Sequence, residues 1–192
     1  MSAKRSRTLA QTGYELMDRK RNILVREMME LMDDAARVQK EIDVVFQEAY
    51  DALAQANIRL GICDKVAEAV ELDDRLTLRW RSVMGVELPH LPEEPAVPRP
   101  EYGFAFTSSA LDDAYVKFSK VKALIREMAE VETSIYRLAQ AIKKTQKRAN
   151  ALQNIVIPSF DHTIRVISEA LEEKEREEFV RLKVIKRQSA EP

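Results

Sequence analysis

The chain has 192 residues, with 31 Lys or Arg against 32 Asp or Glu, four glycines and one cysteine. One third of it is charged, and the balance argues against a dedicated nucleic-acid or anionic-membrane binder, which is usually basic overall. No eighteen-residue apolar run exists to span a bilayer, and a lone Cys63 builds no internal disulfide, so a reducing cytoplasm and no direct membrane insertion are expected.

The first predicted element is a helix from about Thr8 to Gly61. The opening residues Met1–Arg7 carry no apolar h-region, and no signal peptide is expected. Tyr14, Met17, Arg21, Leu24, Met28, Leu31, Ala35, Val38, Ile42, Val45, Ala49, Ala52 and Ala56 recur in steps of three and four. This is a heptad seam broken only by Arg21, whose stem can lie along the seam while its head reaches water. The interval contains no proline, and its one glycine before Gly61 is Gly13. At about 1.5 Å per residue such a helix is about 75–80 Å long, beyond the diameter of a small globular domain. Seven basic residues against four acidic ones precede Leu31, so this end is locally positive.

Gly61 is a helix C′ candidate, and a short amphipathic helix from Asp64 to about Leu72 is expected after it. The period then changes. Thr77–Leu88 is rich in strand-favouring residues, and five prolines follow between Pro89 and Pro100. Tyr102–Phe106 is a second extended stretch, expected to pair with the first in a hairpin-like projection closed by the proline-rich loop.

Thr107-Ser108-Ser109 offers N-caps for a second long helix, and Asp112-Asp113 suits the positive end of its dipole. Its seam runs Val121, Leu124, Met128, Val131, Ile135, Leu138, Ile142, Thr145, Ala149, Leu152, Val156. Pro158 interrupts it, so a bend and a stutter are expected there, with Phe160, Ile164, Ile167 and Leu171 continuing beyond. Opposing Ala56 to about Val121 sets Tyr14 against Thr163 and leaves everything after about Val180 without a partner on the first helix. The fold expected is mainly α: a long antiparallel two-helix coiled coil of residues 1–60 and 109–192. Residues 61–108 form a small middle segment with a short helix and a β-hairpin.

No catalytic pattern accompanies this architecture. His90 and His162 lie in different elements without ligand partners at helical spacing, and no glycine-rich phosphate loop is present. Lys143-Lys144-Thr145-Gln146-Lys147-Arg148 wraps around the helix and reads as a solvated face. No enzyme activity, metal or cofactor is expected.

Several blocks together resemble a known family. Lys144–Leu152, then Ile157-Pro158, then the charged run Glu173–Phe179 ending in Arg181-Leu182-Lys183, is similar to the D subunit of the V-type/A-type ATPases. Gly13 with Leu16-Met17 and Lys20-Arg21, the segment Ser82–Pro89, and Tyr102-Gly103 with Ala110-Leu111-Asp112 agree in order; Gln153 stands where the family often has Glu. The resemblance implies a non-catalytic rotor shaft in the central stalk. Such a shaft couples ATP hydrolysis or synthesis in the hexamer of A and B subunits to rotation and hydrogen-ion or other ion transport by the membrane ring. Its implied partners are the A and B subunits, the F subunit and the funnel-shaped subunit capping the ring, on the cytoplasmic side and peripheral to the membrane. By the same analogy Arg7, Arg19, Lys20, Arg21, Arg176, Arg181, Lys183 and Lys186 are hexamer-facing candidates. Val83, Met84, Val86 and Leu88 are middle-segment candidates with a supporting or partner-facing role, and Pro158 is a source of asymmetry. The reading from another class is a generic coiled-coil scaffold or tether.

Overall fold

The computed structural model describes residues 2–63, 66, 68, 76–92, 102–103 and 107–188. Helix α1 spans Ser2–Leu60, strands β1 and β2 span Arg79–Val83 and Val86–His90, and helix α2 spans Ser109–Ala151. A π-helical turn at Leu152–Val156 joins α2 to helix α3, Ile157–Gln188. The expected short helix at 64–72 falls almost wholly outside the described residues. The chain divides into two compact units, residues 23–142 and residues 1–22 with 143–192.

Helix α1 begins six residues before the expected Thr8 and stops where expected. Gly61 takes φ +80°, open to glycine without steric penalty, and its N–H donates to the Asn57 carbonyl at 2.9 Å. The Asn57 side-chain oxygen then accepts the Cys63 N–H at 3.3 Å, closing the helix end.

In the 23–142 unit, α1 and α2 pair antiparallel. Arg37 reaches Glu127 at 3.4 Å, Tyr50 meets Phe118 edge-on at 5.6 Å, and Ala56 packs with Ala110 and Leu111. The seam read from the sequence is the buried face, and none of its positions here is exposed. Its register differs from expectation: Ala56 meets Ala110 and Leu111, not Val121. The displacement of ten to eleven residues equals three seam steps of 3.5, so the apolar pattern is satisfied equally well by either alignment. Periodicity alone cannot choose between them.

The hairpin also departs from expectation. The partner of the first strand lies within Thr77–Leu88 and just beyond it, not at Tyr102–Phe106. Val83 pairs with Val86, and Arg79 with His90, around the two-residue turn Met84-Gly85. Residues 104–106 lie outside the described residues, while Tyr102 is buried against Ala56, Ala110 and Leu111 and stands edge-on to Tyr115. Its hydroxyl donates to Asp112 Oδ1 at 2.6 Å. Burial, then the Asp112 carboxylate, raise the ionisation of Tyr102 well above the usual tyrosine range. An unfolded tyrosine ionises near pH 10, whereas the folded one holds its proton, so this end of the unit loses stability as pH rises above about 10. Comparing urea midpoints of the wild type and Tyr102→Phe from pH 8 to 11 should show a steeper alkaline decline in the wild type.

In the other unit, the start of α1 pairs antiparallel with the end of α2, the π-turn and α3. Arg21 Nη1 donates to Gln146 Oε1 at 2.8 Å, Arg7 Nε donates to Asp161 Oδ1 at 3.1 Å, and Gly13 sits against Leu152. Tyr14 is therefore not set against Thr163. Pro158 brings a widened turn: the Ile157 N–H donates to the Leu152 carbonyl, an i→i−5 bond. In a regular helix the proline ring collides with the carbonyl four residues back, and widening the preceding turn relieves that clash.

Candidate partner-binding surfaces

Within the 23–142 unit, the hairpin is fastened to the helices by its inner face. Leu88, at 1% exposure, enters a core with Leu24 and Leu138, both fully buried, and Val83 and Val86 pack beside it. Ionic contacts flank this plug on both helices. Arg81 pairs with Glu27 of α1 at 2.6 Å, and His90 Nδ1 lies 3.0 Å from Glu130 of α2. The second Glu130 oxygen accepts the Leu91 N–H at 2.7 Å. Arg137 donates to the Glu87 carbonyl at 2.9 Å and lies over the Trp80 ring, 4.6 Å from its centroid. A cleft of about 280 Å³ lies beneath the strands, but its charged groups Arg81, His90 and Glu130 are taken up by these contacts.

Of the middle-segment candidates, Val83, Val86 and Leu88 face inward and support the hairpin, whereas Met84 is exposed at its tip. Met84 adopts φ +50° ahead of Gly85 at φ +76°, the conformation of a turn that favours Asn-Gly. A methionine there costs about 1 kcal/mol. Met84→Asn should therefore stabilise the unit by up to about 1 kcal/mol in urea denaturation. Trp80, 53% exposed beside Arg137, forms a second outward-facing feature that no pattern in the sequence singles out.

The other surface belongs to α3. On a helix turning 100° per residue, Phe160, Ile164, Ile167, Leu171 and Leu182 fall within an arc of about 60°. Phe160 and Ile164 are half-buried; Ile167, Leu171 and Leu182 on the same face are 48%, 56% and 66% exposed. From Glu169 to Arg187 every residue is exposed. Among the described residues the seam face thus runs on past its last partner on α1, and it does so earlier than Val180, as the observed pairing requires. Phe179, at 70% exposure, lies about 60° beyond the edge of this arc.

The basic candidates divide in two groups. Arg7 is paired with Asp161, and Arg21 is turned into the seam, paired with Asp18 at 2.5 Å and bonded to Gln146. Arg19, Arg176, Arg181, Lys183 and Lys186 are exposed, and Lys20 is half-buried. Arg176 reaches Glu173 at 3.7 Å and Arg181 reaches Glu177 at 3.8 Å, intrahelical pairs worth only a few tenths of a kcal/mol. Among the described residues no group of acidic, His or Cys side chains is arranged to hold a metal, and no helix is long and apolar enough to cross a membrane.

The family model for the D subunit of ATP synthase matches residues 1–187. The V-type ATP synthase D subunit of Thermotoga neapolitana is 40% identical, over 99% of this chain and 95% of its own. The A-type ATP synthase D subunit of Pyrococcus furiosus is 39% identical, over 97% of this chain and 89% of its own. That of Methanopyrus kandleri is 35% identical, over 93% and 78%.

Proposed function

The chain belongs to the family of ATP synthase D subunits, and we propose accordingly that it is the non-catalytic rotor shaft of a V/A-type ATPase. In this reading it turns inside the hexamer of A and B subunits and passes torque to ion transport in the membrane ring. The single observation that carries the reading is the apolar stripe of α3. Ile167, Leu171 and Leu182 extend a buried seam into solvent along a helix flanked by charge. A solvated single helix with such a face gains little stability by itself, so a surrounding partner supplies the missing burial. The antiparallel helix pairing within each unit supports the same role, since transmitting torque needs an element that resists bending. The exposed Arg19, Arg176, Arg181, Lys183 and Lys186, with Lys20, are the hexamer-facing groups of this proposal. The outward Trp80 and Met84 form a surface for the F subunit or the funnel-shaped subunit.

Co-expression of the tagged chain with the A, B and F subunits tests this directly. The expected result is one complex on size exclusion, with nucleotide hydrolysis that drives rotation of a bead attached to the chain. Elution of the chain apart from the A–B hexamer would identify it as a generic coiled-coil scaffold and overturn the proposal.

A further inference from the structure

Arg7–Asp161 and Arg21–Gln146 are polar contacts between the paired helices of the unit formed by residues 1–22 and 143–192. In α1 their residues, Arg7 and Arg21, stand fourteen positions apart, two whole heptads; in α2 and α3 their partners Asp161 and Gln146 stand fifteen apart. In two uninterrupted α-helices that mismatch turns one partner away by about 100°, so the two pairs fall out of phase. Between Gln146 and Asp161 lies the π-turn, whose ring closes from Ile157 to Leu152, one residue longer than an α-helical ring. The surplus residue and the widened turn cancel. We propose that the π-turn at Leu152–Val156 is a phase shifter, holding the helix pair in the one register where Arg21–Gln146 and Arg7–Asp161 close together.

The surroundings of each contact fit this role. Arg21 is the one seam residue of α1 that is charged, and it is held from both sides. Asp18 pairs with it at 2.5 Å, and Gln146 accepts from it while donating to Asn150 at 2.7 Å. A polar group at a seam position favours the alignments that give it a polar partner. A slide by half a heptad sets Arg21 near Ile142 and Lys143, or between Ala149 and Asn150, in either case away from Gln146. A slide of a full heptad toward α3 brings Gln153 opposite Arg21 but separates Arg7 from Asp161, so the second contact resolves what the first leaves open. Gly13 meets Leu152 at the start of the π-turn, with 3.7 Å from the position of an added Cβ to Leu152 Cδ1, so the two contacts bracket the turn.

The test maps phase by cross-linking in the full chain with Cys63→Ser and Arg7→Cys. Phe160→Cys, Asp161→Cys and His162→Cys are introduced one at a time, and a short bis-maleimide reports which position faces residue 7. In the otherwise unaltered chain position 161 should dominate. Pro158→Ala with deletion of Ile155, an exposed residue of the turn, removes both the proline and the surplus residue. Position 161 should still dominate, now on a continuous α-helix. Insertion of one Ala after Ile155 should move the dominant site to 160. If the turn is only a local distortion around Pro158, the deletion moves the dominant site to 162; that result, or equal yields at all three positions, overturns the proposal. Helicity measured on each variant by circular dichroism confirms that the comparison is made on folded protein.

Discussion

Leu138→Ala should lower the unfolding free energy of the 23–142 unit by about 3–5 kcal/mol, read from urea denaturation. Leu138 and Leu24 are fully buried and Leu88 is 1% exposed, so the three close on one another with no route for solvent to fill a deletion. The loss combines the transfer energy of the removed atoms with a cavity at the junction of two helices and a hairpin, a site with little freedom to collapse. The hairpin should respond beyond the global effect. Its inner face depends on Leu88 seating against Leu138, so amide exchange in β1 and β2 should accelerate more than exchange in α2. Ile155→Ala, at a 68% exposed position, is the control and should change stability by less than about 0.5 kcal/mol. A loss below about 1 kcal/mol for Leu138→Ala would mean that the three-residue plug does not hold the hairpin down.

Replacing Leu171 and Leu182 together with Glu should abolish incorporation of the chain into the A–B complex while leaving its own helical content unchanged. Both lie on the exposed stripe of α3, at 56% and 66% exposure. Burying two charges in an apolar contact without partners costs several kcal/mol, enough to reduce a nanomolar association by orders of magnitude. Val180→Glu with Val184→Glu adds the same charge to the same segment, on the side of the helix opposite the stripe. That pair should assemble with far less loss. Equal loss in both double variants would show that net charge near the end of α3 matters and the stripe does not, removing the observation on which the shaft reading stands.

Much of this architecture is legible in the amino-acid order. Every seam position from Tyr14 to Ala56 and from Val121 to Val156 is buried or half-buried, because a periodic apolar row has one way to leave water. The stop at Gly61 and the interruption around Pro158 follow from backbone chemistry carried by single residues. The candidate surfaces are legible only in part. Charge marks the basic residues, yet it does not distinguish Arg7 and Arg21, spent inside the chain, from Arg19 or Lys183. Trp80 and the Leu171–Leu182 stripe gain their meaning from what packs, or does not pack, against them.

Residue order alone settles which faces of the helices turn inward, where α1 ends, and that a proline must disturb the second long helix. The register, with Ala56 against Leu111, and the partner of the first strand, found in Val86–His90 instead of Tyr102–Phe106, emerge only once the chain is folded. The reason is the same for both. A pattern that repeats every 3.5 residues, or every two, is satisfied by any whole number of steps, so its energy scarcely separates neighbouring alignments. The choice falls to features that do not repeat: the seat for Leu88, the Tyr102–Asp112 bond, and the extra residue in the turn before Pro158.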